Sequence, residues 1–134
     1  MSLPLTAVGG YVRADSPAEA AGLSAVLDEY ARRAGLVVCH VHRESAGATG
    51  ATLPAFAVCL EMVRKATARG ILLPSWPHLA PNRSLGASLL HAAHRDNAPL
   101  YVVDDTTIPD WALSAAAATH EVQAHLQAAG SGRS

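Results

Sequence analysis

The chain has few of the residues that mark secreted, membrane-bound or strongly charged proteins. It contains two cysteines and a single lysine, Lys65, and aromatic residues make up 4% of its 134 residues. Ten Lys and Arg balance 11 Asp and Glu, so net charge attracts it neither to nucleic acid nor to anionic lipid. No apolar run approaches the ~20 residues that span a bilayer, and the N-terminus lacks the features of a secretion signal. We therefore expect a cytoplasmic protein without membrane contact.

The small number of cysteines excludes a disulfide-stapled domain. Cys39 and Cys59 lie in the apolar segments VVCHV and FAVCL, where free thiols usually act as small core side chains, and we predict both to be buried. Half of the residues are hydrophobic. A chain of this length buries roughly two-thirds of its unfolded surface, which is enough to fold without a structural metal. We expect one domain over residues 1–130 and a disordered tail over residues 131–134.

Apolar segments alternate with segments of helical periodicity along the chain. This alternation predicts an α/β fold with a mostly parallel, open sheet of four or five strands and helices on both faces. The predicted strands cover residues 5–13, 36–42, 71–75 and 100–103. Helices are predicted over residues 17–34, 54–69, 83–96 and 109–129, the last being a C-terminal helix. The segment SAGATGAT between the second strand and the second helix predicts a mobile loop.

Short motifs follow one another in a set order along these elements. The first strand ends in Tyr11-Val12-Arg13-Ala14-Asp15 followed by Ser16, and the first helix ends in YARRAG. Acidic Glu44 follows the second strand, Leu53-Pro54 opens the second helix, PHLAP follows the third strand, and Asp104-Asp105 ends the fourth. In this order the chain resembles the catalytic domain of the serine recombinases, the resolvase and invertase family, over roughly residues 7–126.

The resemblance implies a resolvase-like fold and, in active members, DNA strand exchange. There a serine hydroxyl attacks a DNA phosphate that arginines hold, because guanidinium groups stabilise the negative charge of phosphoryl transfer. Here Asp15 stands at the nucleophile position and Leu53 replaces the arginine before the second helix. His78 and Pro81 replace the two arginines of the third motif. Of the arginines, only Arg13 is kept. We therefore interpret the site as a vestigial pocket, whose other members are Asp15, Glu44, Leu53, His78 and Pro81.

These replacements predict a domain that does not act as an enzyme and instead has a regulatory or scaffold role through protein association. The alternative is an active or DNA-associated recombinase fragment in which Ser16, one residue late, serves as nucleophile. Ser16 is also explained as the N-cap of the first helix, since Pro17 and Glu19 follow it. A third hypothesis, a small-molecule site at the carboxyl ends of the strands, has only the general rule for open α/β sheets behind it, and we predict no cofactor.

The last predicted helix is the candidate association surface. The resemblance implies dimerisation through this helix, and its stripe here consists of Trp111, Ala115, Ala118, Val122 and Leu126. A helix that faces the core of its own domain has the same pattern. We expect a homodimer or another protein partner. The family's separate DNA-binding region follows this helix, and because the chain ends at Ser134 we expect DNA binding, if any, to be weak.

Histidine is the remaining chemical signal. His40 and His42 alternate on a predicted strand, and His91 and His94 are three residues apart on a predicted helix, so each pair lies on one face. Neither pair has a cysteine or carboxylate at a recognised metal-site spacing, and we predict no metal.

Overall fold

The computed structural model describes residues 5–49 and 53–113. The strands are β1 (Thr6–Arg13), β2 (Leu36–Glu44), β3 (Ile71–Ser75) and β4 (Leu100–Asp104). The α-helices are α1 (Pro17–Ala34), α2 (Pro54–Arg64) and α3 (Arg83–Arg95), and two 3-10 turns cover Trp76–His78 and Asp110–Ala112. Among these residues no helix is long and apolar enough to cross a membrane.

The four strands form one parallel sheet in the order β2-β1-β3-β4. The predicted parallel α/β architecture is confirmed. Side chains that alternate along the strands face two separate cores. Val8 and Val12 of β1 pack with Leu27 of α1 on one face. Tyr11 packs on the other face with Phe56 of α2 and Leu89 of α3. Helices therefore cover both sides of the sheet, as two apolar faces require.

Local capping residues set the ends of α1 and the start of α3. The hydroxyl of Ser16 accepts a hydrogen bond from the Glu19 amide at 3.1 Å, and the side chain of Asn82 accepts one from the Leu85 amide at 2.9 Å. Gly35 ends α1 in the left-handed region, with φ 75°, a conformation that a residue without Cβ adopts freely. The N-cap at Ser16 matches the sequence-based prediction.

Strand β2 corrects one prediction. It lies at the edge of the sheet, and most of its side chains are partly or fully exposed. Cys39, expected in the core, is exposed. The β1–β2 register jumps from Val8–Val38 to Gly9–His40, so Cys39 is the extra residue of a β-bulge. Cys59 is buried as predicted.

Two further helix predictions need comment. Helix α2 ends at Arg64, about one turn before the predicted end, because Ala66 takes a left-handed conformation with φ 60°. The predicted C-terminal helix lies mostly outside the described residues, as do the domain end at 130 and the tail at 131–134. Trp111 packs on Gly86 of α3 so closely that a Cβ added there would lie 2.7 Å from its ring. Trp111 therefore lies beside α3.

Candidate functional site

The carboxyl ends of β1, β2 and β3 lie at the same end of the sheet, which we call the carboxyl edge, and bring the predicted pocket residues towards each other. Arg13, the last residue of β1, is the register partner of Glu44, the last residue of β2. Both charged side chains are buried, each with 4% of its surface exposed. Ser75 and His78 follow from β3 and its 3-10 turn. Charges this well buried must be matched by hydrogen bonds or opposite charges.

Arg13 is bonded mainly to the backbone. Its Nε donates to the carbonyl of Leu79 at 3.1 Å, and its Nη1 donates to the carbonyl of Ala48 at 2.7 Å. Longer bonds of 3.4 Å connect Nη1 to the carbonyls of Ser45 and Ala46. Its Nη2 is buried and has no partner among the described residues. The guanidinium therefore joins the loop after β2 to the loop after β3, rather than facing solvent as an anion-binding group.

Glu44 acts as the cap of a helix that it does not belong to. The N-cap position of α2 is Leu53, whose side chain makes no capping bond. The Glu44 carboxylate instead accepts hydrogen bonds from the amides of Ala55 at 3.4 Å and Phe56 at 3.2 Å. It also accepts the hydroxyl of Tyr11 at 3.3 Å. A negative charge at this position matches the positive end of the helix dipole.

Tyr11 connects the two buried charges. Burial raises its pKa above the ordinary range, Arg13 opposes this shift, and Glu44 adds to it. The carbon of the Arg13 guanidinium lies 5.9 Å from the centre of the Tyr11 ring. Tyr11 was noted in the sequence only as part of a motif. Its role depends on Glu44, 33 residues away, so no local pattern reveals it.

Asp15 and Ser16, which follow β1, are engaged in local structure. Asp15 is exposed, and its carboxylate accepts the Ala46 amide at 3.1 Å. The Ser16 hydroxyl caps α1. Together with Arg13, Asp15 holds residues 45–48 of a loop that we predicted to be mobile. This hydrogen bond does not use the hydroxyl proton of Ser16. Among the described residues, however, no basic group that could accept this proton contacts Ser16.

His78 lies against Ser75 at the same edge. Its Nδ1 is 2.9 Å from the Ser75 hydroxyl. Burial lowers the pKa of His78; the carboxylate of Glu19 opposes this and the charge of Arg13 adds to it. The lowered pKa favours the neutral imidazole over the cation that would attract a phosphate. Ser75 was not singled out from the sequence.

The remaining predicted pocket residues do not join this group. Leu53 is buried in the apolar core on the α2 side, and Pro81 is exposed in the loop before α3. Leu53 instead borders a groove of about 680 Å³ between α2 and α3. Its main apolar lining residues are Leu53, Phe56, Leu60, Leu85, Leu89 and Ala92. Of the predicted association stripe, Trp111 lies beside α3, and Ala115, Ala118, Val122 and Leu126 are outside the described residues.

Comparison with solved structures shows which fold this is, although the sequence matches no protein-family model and no curated protein. The chain is similar to the C-terminal catalytic domain of ISC1926 TnpA, an IS607-like serine recombinase, with a TM-score of 0.61 and 16% identity over 83% of this chain and 76% of that one. It is similar to the N-terminal catalytic domain of TP901-1 integrase, with a TM-score of 0.60 and 15% identity over 96% of both chains. A resolvase family site-specific recombinase from Streptococcus pneumoniae gives a TM-score of 0.57 and 14% identity, over 96% of this chain and 94% of that one.

Proposed function

Since the chain has the fold of the serine recombinase catalytic domains, we propose that it is a catalytically inactive domain of this type that acts through protein association, as a homodimer with a regulatory or scaffold role. The observation that carries the proposal is the bonding of Arg13. Its guanidinium is buried and held by the carbonyls of Leu79 and Ala48. A phosphate would have to displace these bonds, and only Nη2 is without a partner among the described residues.

The charge around Arg13 supports the same conclusion. Asp15 places an exposed carboxylate two residues after the end of β1. Phosphoryl transfer spreads negative charge over the equatorial oxygens, which carboxylates destabilise and guanidinium groups stabilise. The neutral imidazole of His78 does not compensate. An anionic DNA backbone is therefore poorly matched to this edge of the sheet.

The association part of the proposal is supported by the groove between α2 and α3. It is open, and its walls carry apolar side chains such as Leu60 and Leu85 beside polar ones such as Ser84 and Ser88, a mixture typical of surfaces that contact a protein partner. Trp111 packs on Gly86 of the helix that forms one wall, and the next residue but one, Leu113, is 57% exposed. The predicted stripe, which begins at Trp111, would provide the contact between two copies.

A covalent-adduct assay tests the loss of activity. The protein is incubated with supercoiled DNA, denatured and examined for DNA-linked protein. We expect none. An adduct formed by the parent protein and abolished by Ser16→Asn would refute the proposal and favour the fragment that uses Ser16. Asparagine is the suitable replacement because it still caps a helix but offers no hydroxyl nucleophile.

Sedimentation equilibrium tests the association. We expect a dimer mass for the parent protein and a monomer mass for the double variant Trp111→Ala with Val122→Asp, provided that circular dichroism shows the variant to be folded. Ser88→Arg, at an exposed position in the wall of the groove, should weaken the dimer in the same direction. A parent protein that is monomeric at all concentrations, or a folded double variant that keeps the dimer mass, contradicts the proposed surface.

A further inference from the structure

One group of metal-binding side chains lies away from the carboxyl edge, on the face of the sheet that α2 covers. His40 and His42 extend from the edge strand β2, and their rings are stacked with centres 5.5 Å apart. The thioether sulfur of Met62, on α2, lies 3.3 Å from Nε2 of His42. Three soft or borderline donors from two elements are thus gathered at one place.

The sequence does not reveal this group. The two histidines are visible as an alternating pair, but Met62 is 20 residues beyond His42, and the packing of α2 on β2 alone brings it near. A site made of His, Cys, Asp and Glu alone is not present either: within residues 5–49 and 53–113 no three such side chains could hold a metal together. The third donor is a thioether.

The distance between His42 and Met62 is one that a shared ion allows. With metal bonds of about 2.0 Å to nitrogen and about 2.3 Å to sulfur, a separation of 3.3 Å corresponds to an angle of about 100° at the metal. That angle is close to tetrahedral. The ring of His40 is stacked beside that of His42, and rotation about its side-chain bonds would bring a nitrogen to the same point.

The surroundings keep the donors available. Gly9 of β1 leaves room for the thioether, since a Cβ added there would lie 3.3 Å from the Met62 sulfur. His40 is exposed, which gives an ion a path from solvent.

From this geometry we propose that His40, His42 and Met62 form a binding site for monovalent copper. Thioether sulfur favours soft ions, and imidazole is a common partner for copper. Zinc binds imidazole as well but gains little from a thioether. The site therefore distinguishes the two metals through Met62, and it is independent of the sheet edge that holds Arg13 and Glu44.

The test is a Cu(I) titration of the reduced full chain without oxygen, in competition with a chromophoric Cu(I) chelator. It is carried out in a Cys39→Ser background, because that exposed thiol is next to His40 and binds copper by itself. We expect one Cu(I) per chain and at least tenfold weaker binding in Met62→Leu and in His42→Gln. Met62→Leu conserves core volume and should fold normally, which thermal melting checks.

The pair His91 and His94 on α3 provides the matched control. The double variant His91→Gln with His94→Gln should bind Cu(I) as tightly as its parent, and Zn²⁺ affinity should change less than threefold in Met62→Leu. The methyl resonance of Met62 should shift on Cu(I) addition. The proposal is overturned if copper binding is absent in the Cys39→Ser protein, if folded Met62→Leu binds Cu(I) as the parent does, or if loss of His91 and His94 removes the binding.

Discussion

Replacing Glu44 tests the central structural claim about the carboxyl edge, that one buried carboxylate replaces the missing N-cap of α2. Glu44→Ala removes the acceptor of three donors, the amides of Ala55 and Phe56 and the hydroxyl of Tyr11. No side chain at Leu53 takes over the capping bond. We therefore expect the first turn of α2 to be less stable and the buried hydroxyl of Tyr11 to be left without its acceptor.

The size of the effect follows from the groups involved. Loss of an N-cap costs about 1 kcal/mol, and a buried hydroxyl without its acceptor costs about 1–3 kcal/mol. We expect Glu44→Ala to lower the free energy of unfolding by about 3 kcal/mol, which for a chain of this size lowers Tm by about 10 °C. Glu44→Gln keeps the shape and one carbonyl oxygen, so it should cost less than half as much.

Urea unfolding followed by circular dichroism measures these differences. Glu61→Gln is the control, because Glu61 is partly exposed on α2 and, within the described part of the chain, its ion pairs are with Arg64 and Lys65 of the same helix. Its unfolding midpoint should stay that of the parent. If Glu44→Ala is as stable as the parent, the carboxylate is not the cap of α2, and the account of the buried edge fails.

Two other predictions concern packing and pH. Gly86→Ala should destabilise the fold by about 2 kcal/mol, because its Cβ would overlap the ring of Trp111. Gly22→Ala, on the open side of α1, should instead stabilise the fold by about 0.5–1 kcal/mol. Thermal melts in which Gly22→Ala is destabilised or Gly86→Ala is as stable as the parent contradict this prediction. Burial raises the pKa of Cys59 to about 12 and raises that of Tyr11 as well. The unfolded chain then releases these protons at lower pH than the folded one, so stability should be complete below about pH 9 and fall above it, by up to about 1.4 kcal/mol per pH unit for each group. Cys59→Ala should flatten the first part of that decline, and an unchanged pH profile would count against the burial of the thiol.

The sequence by itself determined the features that depend on neighbours a few residues apart. The alternation of strands and helices predicts the parallel α/β fold, and the caps at Ser16 and Asn82 are the residues that bond the Glu19 and Leu85 amides. These caps can be predicted from the sequence because donor and acceptor are three residues apart. The predicted end of α2 was wrong because Ala66 adopts a left-handed conformation, which is uncommon for alanine and therefore not expected from the sequence.

The tertiary structure alone decided which residues meet. Nothing local places β2 at the edge of the sheet, so the exposure of Cys39 could not be read from its apolar neighbours. The contact of Glu44 with the start of α2 and that of His42 with Met62 likewise depend on how α2 packs against the sheet. Strand order and helix packing come from non-local burial of apolar faces, and one sequence pattern is compatible with several such arrangements.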